Sequence, residues 1–571
     1  MFWLRHISAL LLVAAPAAAL MLWNLGARYF WQDEAATAVL AERLLKYGRP
    51  LGYDGRNLIT MDWYVEGAES SIPSGAAAES IDYFVARGDF RDDTTWTGQP
   101  WGQFVLAAAS MAMLGKSTWG ARLPFALCGV GVAVVLYSFI RKRFCDPAMS
   151  VAALLLLLGN VYWVLHMRQC RYYAPASLLL LVTFVAYVRW RARDRWGGAA
   201  FVFSAWCFFQ CDFGTFWPVM AVLTVDGLWS FRGRRYEFLG AMAALAALLG
   251  PWIWYYEILE RLKPRLADSA QSVWILLMSF NQYQLPLIVM PVCLWFAWRA
   301  RRAQSMPTGA THAIVLAAAI VAAILIWVPL VAPYPFYRYL AVATPLSCLL
   351  VSYILAGLID VALRHKAASD LRVACSVVLA GLLLVTQVAA APANLALMAG
   401  QSSVHISLGF WRPDLRTLYV DLRNIGPDPN REIVAELTPK LRPGDAVLTD
   451  VEDAPLMFYT DAEVRGGLAT FRSDDTSVPP PRFIIIRSTG QMGRDAIRRQ
   501  LARHTWRKLP VWIPAERFGN IPDPLFHRAR TLGQDLPNLV IYELAPPERG
   551  GRRIELKSRS PSEPASDRAE P

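Results

Sequence analysis

The chain has 571 residues, a mean hydropathy of +0.30 and a hydrophobic content of 55%, a composition that excludes an ordinary soluble globular protein. Its net charge of +12 would suit a nucleic-acid-binding protein, but the arginines cluster in short links between long apolar runs. Such clusters are typical of the loops of a membrane protein. The eight cysteines have the spacing of neither a metal site nor a disulfide framework. We therefore expect a polytopic α-helical membrane protein that contacts membrane lipid and binds no nucleic acid.

Eleven apolar runs predict membrane-spanning helices, because most of them approach the roughly 20 residues that a span needs. In chain order they cover 7–26, 120–140, 148–166, 172–190, 197–211, 214–231, 237–256, 273–298, 311–331, 339–363 and 372–391. A further apolar stretch, 101–114, is too short to span by itself. The expected total is about 11–13 spans.

Basic clusters recur in every second link between these runs. They are Arg141-Lys142-Arg143, Arg189 to Arg195, Arg232 to Arg235, Arg299 to Arg302 and Arg364 to Lys366. If 101–114 lies along the interface or re-enters the membrane, all five clusters share one side, which the positive-inside bias assigns to the cytoplasm. If 101–114 spans fully, the clusters move outside, against that bias. The first arrangement gives eleven spans and an exterior C-terminus.

Composition divides the chain into three parts. Residues 1–391 form the predicted membrane domain, with 27–100 as its first exterior loop. Residues 392–547 have the composition of a soluble domain, and the tail 548–571 is rich in Arg, Ser, Pro and Glu and is predicted to be disordered. Within the soluble part we predict helices at 433–441 and 493–504 and strands at 446–449, 483–486 and 539–542. This alternation favours an extracytoplasmic α/β domain with a partly parallel sheet.

Two adjacent carboxylates, Asp33 and Glu34, follow the first apolar run by about one helical turn. One interpretation is structural, because acidic residues are favoured in the first turn of a helix such as the one predicted for 34–47. The other is catalytic, because carboxylates at this depth keep access to water while they face a lipid-borne substrate. The position alone leaves both interpretations open.

Two other exterior links pair arginine with tyrosine. Arg168, Arg171 and Tyr172 lie between two spans, and Arg338 and Tyr339 follow a proline-bounded turn. Arginines on the exterior side run against the positive-inside trend, and anion binding would explain them. For the first link, the alternative is that the arginines snorkel to the interface and the tyrosines anchor it. For the second link, the alternative is a proline-bounded turn at the interface.

The loop 50–100 carries aromatic residues that suit sugar stacking, which makes it the candidate acceptor region. The residues singled out there are Trp63, Tyr64, Trp96 and Gln99, the last of which introduces the 101–114 stretch.

Taken in order, these segments resemble the GT-C glycosyltransferases, most closely the branch of protein O-mannosyltransferases and lipid A aminoarabinose transferases. The likeness rests on Trp31 to Gly48, Gln99 to Phe144 with its Leu114-Gly115 and Ala121-Arg122-Leu123-Pro124, the Arg-x-x-Arg-Tyr-Tyr link and the late Tyr-Arg-Tyr-Leu segment. It covers roughly residues 1–390 and leaves out the C-terminal region. One departure concerns Gln99, where many relatives carry a basic residue before proline.

The resemblance implies an enzyme that takes a sugar from a polyprenyl-phosphate donor to an acceptor hydroxyl on the outer face of the membrane. The acceptor would be a lipid, a polysaccharide or a protein. Asp33 matches the catalytic acid of the family, with Glu34 beside it, and the Arg and Tyr links would hold the lipid phosphate. One acidic pair suggests no catalytic metal, and no cofactor is implied. The Ala/Arg-rich composition indicates a bacterial inner membrane, whose outer face is periplasmic.

Two other function classes stay open. A transporter or flippase of a lipid-linked or polar solute would place ionisable residues near the middle of the bilayer, whereas here they gather at one exterior face. A scaffold or sensor would use the C-terminal domain for binding and leave the Asp-Glu pair and the Arg-Tyr links without a role.

Overall fold

The computed structural model describes residues 2–546, with gaps. The gaps are 61–80, 87–89, 262–268, 284–290, 293–294, 297–298, 300–307, 333–335, 364–367, 392–410, 413, 424–427, 468–470, 488–493 and 515–537. The predicted tail 548–571 and two of the candidate sugar-stacking residues, Trp63 and Tyr64, lie outside the described residues.

Helices make up the described part of the membrane domain. They are α1 (Phe2–Leu22), α2 (Gln32–Tyr47), α3 (Ile81–Ala86), α4 (Gly102–Leu114), α5 (Thr118–Arg143), α6 (Pro147–Leu158), α7 (Val161–Met167), α8 (Tyr173–Arg191), α9 (Gly197–Phe209), α10 (Phe213–Ser230), α11 (Arg235–Tyr255), α12 (Ile258–Arg261), α13 (Ser269–Tyr283), α14 (Thr308–Val331), α15 (Thr344–Ala362) and α16 (Ser369–Val385). Short 3₁₀ helices at Arg232–Arg234 and Tyr337–Ala343 precede α11 and α15.

The described residues of the predicted apolar runs lie largely on these helices, with the run 148–166 divided between α6 and α7. By length and composition, five helical segments of the described chain can cross a membrane: Thr118–Arg143, Tyr173–Arg191, Arg232–Tyr255, Gly309–Val331 and Tyr337–Ala362. A sixth arises if α6 and α7, which meet at 68°, form one span. The other runs lie on α1, α9, α10, α13 and α16. The described residues of these helices do not meet the same criteria of length and composition. The predicted polytopic helical membrane protein is confirmed.

The break between α6 and α7 redirects the chain toward the link at Arg168–Tyr172. Gly159 ends α6 against Leu384, and an added Cβ would lie 2.4 Å from a methyl carbon of that leucine. Asn160 then caps α7 by accepting a hydrogen bond from the backbone N–H of Trp163 at 2.9 Å. A small residue followed by a capping residue therefore explains why one apolar run becomes two helices.

Polar contacts tie the helices together at the end of the bundle where the basic links gather. Asp226 on α10 accepts a hydrogen bond from the Tyr187 hydroxyl of α8 at 2.6 Å and lies 3.0 Å from Nε2 of His312 on α14. Arg372 on α16 pairs with Asp146, at the start of α6, at 2.9 Å. These contacts hold five helices in register at the end opposite the candidate site.

The C-terminal domain is the predicted α/β domain with a partly parallel sheet. Its helices are α17 (Asp414–Arg423), α18 (Pro429–Leu437), α19 (Asp453–Tyr459) and α20 (Arg494–Arg503), and its strands are β1 (Ala446–Thr449), β2 (Glu463–Gly466), β3 (Phe483–Ile486), β4 (Trp506–Lys508) and β5 (Val540–Leu544). The strand order is β2-β1-β3-β5-β4, with β1 parallel to β2 and β3, and β5 antiparallel to β3 and β4.

The sequence predicted three of these strands and missed two. The predicted strands, β1, β3 and β5, lie at the centre of the sheet and are rich in β-branched residues. The edge strands β2 and β4 are four and three residues long and carry charged side chains, so they show no apolar pattern. Helix α18 begins four residues before the predicted start because Asp428 caps it, accepting from the backbone N–H of Arg431.

The described residues that follow α2 in the loop 27–100 are tied to the end of that helix. Arg43 is buried and donates hydrogen bonds to the carbonyl oxygens of Leu51, Gly52 and Asn57 at 2.7–2.9 Å. The side chain of Trp96 packs inside this loop and is only 2% exposed.

Candidate active site

Asp33 and Glu34 lie in the first turn of α2, which begins at Gln32, two residues before the predicted start. Both carboxylates are buried, with exposures of 5% and 0%. The helix N-terminus favours acidic groups through its dipole. Successive residues of a helix point about 100° apart, so the two side chains reach different partners.

Glu34 is fully engaged by the surrounding protein. Its two carboxylate oxygens accept hydrogen bonds from Nε and Nη2 of Arg122, at 2.8 and 2.6 Å, and one of them also accepts from the backbone N–H of Cys170 at 2.8 Å. Arg122 on α5 donates further to the carbonyl oxygens of Leu25 and Arg28. This network joins the loop before α2, helix α5 and the Arg-Tyr link, so Glu34 holds the site together.

Asp33 faces two arginines from separate links. Its Oδ2 lies 3.3 Å from Nη2 of Arg171 and 3.3 Å from Nη2 of Arg338. Arg171 also contacts the backbone oxygen of Asp33 and the hydroxyl of Thr37, each at 3.3 Å. One carboxylate between two guanidinium groups leaves a buried excess of one positive charge, which favours an additional anion.

Several donors in this cluster are buried without an acceptor among the described residues. They are Nε of Arg171, Nε of Arg338 and the indole Nε1 of Trp31. Buried donors are satisfied in almost all proteins, and unsatisfied ones indicate a missing partner. A phosphate group presents several acceptor oxygens, and arginine binds it in fork geometry.

Aromatic rings fix the two guanidinium groups. Arg338 lies over the rings of Trp31, Phe336 and Tyr339, at 5.2, 4.1 and 5.9 Å from their centroids. Arg171 lies 5.5 Å from the ring centroid of Tyr172. These contacts use the faces of the guanidinium groups and leave their edges for hydrogen bonds and ion pairs.

Arg171 stays positively charged in this position. Burial lowers the pKa of Arg171, but the adjacent Asp33 carboxylate more than offsets that effect, and the pKa lies above its usual range. The guanidinium therefore keeps its charge for an incoming anion at any physiological pH.

Gln99 reaches the cluster through a line of polar side chains. The Nε2 of Gln103 on α4 donates to the side-chain oxygen of Gln99 at 3.0 Å, and its own Oε1 lies 3.5 Å from the Thr37 hydroxyl. Thr37 contacts Arg171. The neutral amide noted in the sequence thus belongs to the same polar network as Asp33.

The side chain of Arg168 binds the C-terminal end of α1. Its guanidinium donates to the carbonyl oxygens of Leu20, Met21 and Trp23. The last carbonyl groups of a helix have no partner inside it, and a basic side chain satisfies them favourably. Its predicted role at the lipid phosphate stays a prediction, as does that of Trp96 in sugar stacking.

Arg122 and Trp31 were not singled out as site residues in the sequence. Arg122 belongs to the Ala121-Arg122-Leu123-Pro124 segment of the family likeness, and Trp31 directly precedes the acidic pair. An arginine inside an otherwise apolar run needs a buried partner, which is the signal that would have linked Arg122 to Glu34.

An apolar cleft opens beside the break between α6 and α7. It is lined by side chains such as Leu156, Val351 and Leu384, with Arg412 as its charged member. Tyr162 lines the cleft and contacts Tyr337, the residue before Arg338, with ring centroids 3.9 Å apart. One lining residue of the cleft therefore contacts the neighbour of Arg338. Among the residues that the structure describes, no group of three or more His, Cys, Asp or Glu side chains could hold a metal ion.

No protein-family model matches the chain, and no curated protein sequence matches it. Solved structures do match the chain. The chain is similar to ArnT from Cupriavidus metallidurans bound to undecaprenyl phosphate, with 13% identity, a TM-score of 0.55 and coverage of 95% of this chain and 99% of that one. The apo structure of the same protein matches with 14% identity, a TM-score of 0.52 and coverage of 94% and 98%.

The arabinosyltransferase EmbB from Mycobacterium smegmatis gives a TM-score of 0.35 at 14% identity, over 68% of this chain and 40% of that one, which is too low to bear on the fold. The ArnT matches extend over the C-terminal domain, whereas the sequence limited the likeness to roughly residues 1–390. The structural likeness thus reaches further along the chain than the sequence likeness, because a fold persists after its sequence motifs have diverged. The chain has the GT-C fold, as its sequence predicted.

Proposed function

We propose that the chain is an integral-membrane glycosyltransferase that moves a sugar from a polyprenyl-phosphate donor to an acceptor hydroxyl, with inversion at the anomeric carbon. The observation that carries the proposal is the buried Asp33 carboxylate between Arg171 and Arg338, with donor atoms left over for an anion. The fold supports it, because the ArnT structure of the same fold is bound to undecaprenyl phosphate.

The residues fit the demands of this reaction. Glycosidases need two carboxyl groups because an alcohol leaving group must be protonated as it departs. A phosphate leaving group is already a weak base, so one general base and cationic stabilisation suffice. Of the two adjacent carboxylates, Glu34 is paired with Arg122 through both oxygens, so we assign the role of base to Asp33.

The reaction begins with an exchange of partners. The donor phosphate binds to Arg171 and Arg338, competes with Asp33 for their guanidinium groups and loosens the carboxylate. Asp33 then accepts the proton of the acceptor hydroxyl while the oxygen of that hydroxyl bonds to the anomeric carbon. The bond between that carbon and the phosphate oxygen breaks, and both electrons leave with the phosphate, whose charge the two arginines stabilise.

The polyprenyl chain has a suitable path in the apolar cleft beside α7, near the Tyr162–Tyr337 contact. The positive-inside bias supports a topology with the basic links in the cytoplasm and the charged cluster on the exterior, periplasmic face of a bacterial inner membrane. Tyr172, Tyr339, Gln99 and the aromatic residues of the first loop complete the proposed donor and acceptor region.

The decisive experiment is sugar transfer from labelled polyprenyl-phosphate sugars by purified wild type and Asp33→Asn. Loss of the base is expected to lower kcat by about 10²–10⁴ while donor binding persists. Activity in Asp33→Asn equal to that of wild type would refute the assignment of the base. Absence of transfer by the wild type with every donor would refute the proposed function.

A further inference from the structure

The C-terminal domain holds the backbone that leads into Asp33. The N–H of Tyr29 donates to Asp428 at 2.8 Å, and the N–H of Phe30 donates to the hydroxyl of Tyr459 at 3.1 Å. The carbonyl oxygen of Phe30 accepts from Nδ2 of Asn430 at 2.6 Å. Phe30 lies three residues before Asp33, so side chains of the C-terminal domain set where α2 begins.

Asn430 contacts two buried charged side chains, Glu452 and Arg487. Nδ2 of Asn430 lies 3.2 Å from Oε2 of Glu452, and its Oδ1 accepts a hydrogen bond from Nη2 of Arg487. Nη1 of Arg487 is 4.0 Å from the same Glu452 oxygen. The three side chains are buried, and Asn430 therefore connects this pair to the Phe30 carbonyl.

The backbone at Glu452 is unusual. Its φ of +58° and ψ of +45° lie in the left-handed region, which costs free energy for a residue with a side chain. Such strain persists only where the surrounding structure imposes it, and it concentrates at functional sites. Here it directs a carboxylate toward Asn430 and the start of α2.

We propose that Glu452 is a positioning residue of the catalytic centre, which orients Asn430 on the Phe30 carbonyl and whose ionisation weakens binding of the donor phosphate. This inference rests on the proposed function of Asp33. It gives the C-terminal domain a part in the reaction, through the backbone that leads into Asp33.

Burial and the surrounding charges together set the pH at which Glu452 ionises. Arg487 and Asn430 favour the carboxylate, whereas Asp33 and Asp453 disfavour it. Asp450 and Asp428 act on Arg487 from its other sides. Burial, the largest effect, raises the pKa of Glu452 to about 7. Above that pH an added negative charge lies close to Asp33 and opposes the donor phosphate.

The test is the KM for a polyprenyl-phosphate sugar between pH 6 and 8.5. This donor is a phosphodiester and does not itself titrate in that range. The wild-type KM should rise across pH 7 by roughly three- to tenfold, the effect of one nearby charge in a partly buried site. Glu452→Gln should give a flat KM. Glu436→Gln, which removes a carboxylate from the same domain at the distant Lys440 pair, should keep the wild-type profile.

Two further variants separate positioning from charge. Glu452→Asp keeps the charge but shortens the reach to Asn430, so kcat should fall while the pH-dependence of KM persists. Arg487→Gln removes the cation that favours the Glu452 carboxylate, so the midpoint of the KM profile should move to higher pH. If Glu452→Gln yields no folded protein, the midpoint of the KM profile in Arg487→Gln still tests the role of Glu452.

The outcomes are distinguishable. An active wild type whose KM profile is unchanged by Glu452→Gln, or whose midpoint is unmoved by Arg487→Gln, overturns the role of Glu452 alone. A wild type without any transfer activity overturns the proposed function, and the role of Glu452 with it.

Discussion

Two adjacent acids of this protein have separate roles because a helix turns them apart. Glu34 is saturated by Arg122 and the backbone of Cys170, whereas Asp33 shares two arginines whose donor edges are not exhausted. Glu34 therefore joins Arg122 to the Arg-Tyr link, whereas Asp33 faces the two arginines to which the proposed function assigns the donor phosphate.

Replacement of Glu34 by Gln should destabilise the protein strongly. It leaves the buried guanidinium of Arg122 without its counter-charge, and breaking such a pair costs about 3–5 kcal/mol. The melting temperature of the purified protein in detergent measures this loss. The double variant Glu34→Gln/Arg122→Gln should lose less than the sum of the two single variants, since they share one interaction. Additive losses would contradict the pairing.

Removal of either arginine beside Asp33 should impair donor use. Arg171→Gln and Arg338→Gln are each expected to lower kcat by about 10²–10³ and to raise the donor KM, since each removes a charge that stabilises the departing phosphate. Steady-state kinetics with a labelled donor measures both parameters.

Arg168→Gln is the matched comparison. It removes the same charge from the same link, but its guanidinium contacts the end of α1, so it should affect the melting temperature more than transfer. A loss of transfer equal to that of Arg171→Gln would instead place Arg168 at the phosphate.

At the scale of the element, the apolar runs predicted the helices well, whereas the sequence did not predict the edge strands β2 and β4. A run of 17–25 apolar residues has a clear preferred structure in a membrane, because every backbone polar group must find its partner within the helix. Strands β2 and β4 have only the hydrogen bonds of a neighbouring strand to define them. That neighbour is distant in sequence, so no local pattern reveals it.

Asp226 offers a test of how the helices are held together far from the site. Asp226→Ala leaves the Tyr187 hydroxyl and His312 without their shared partner, and the expected loss is about 1–3 kcal/mol of stability. The melting temperature should fall while kcat is unchanged, because the network lies at the opposite end of the bundle. A fall in kcat at a temperature where the variant is fully folded would contradict this separation.

At the scale of the whole molecule, the C-terminal domain docks on the loop that precedes α2. Tyr29 stacks on Tyr459 with ring centroids 3.8 Å apart, and Gln32 donates to Asp453 at 2.8 Å. The sequence placed this domain outside the family likeness and gave it no part in the site. The contact joins residues some 400 positions apart, which no local pattern can anticipate.

The buried Glu452 should also make stability depend on pH. Burial raises its pKa from 4.5 to about 7, so between these values the native protein keeps a proton that the unfolded chain has lost. Stability should therefore fall by about 3 kcal/mol as the pH rises from 4.5 to 7. Melting temperatures of wild type and Glu452→Gln over this range measure the effect. Equal slopes for the two proteins would exclude Glu452 as its source.

The sequence by itself determined that the chain is a polytopic membrane protein with an α/β domain, that the fold is of the GT-C class, and which links carry acids and arginines. Hydropathy and charge are properties of short segments, and the bilayer acts on them segment by segment. Only the tertiary structure decided that Asp33 lies between Arg171 and Arg338, that Glu34 is held by Arg122, and that Asn430 reaches Phe30. Those pairings depend on how helices and domains pack, and the free energy of packing belongs to contacts between segments rather than to any one of them.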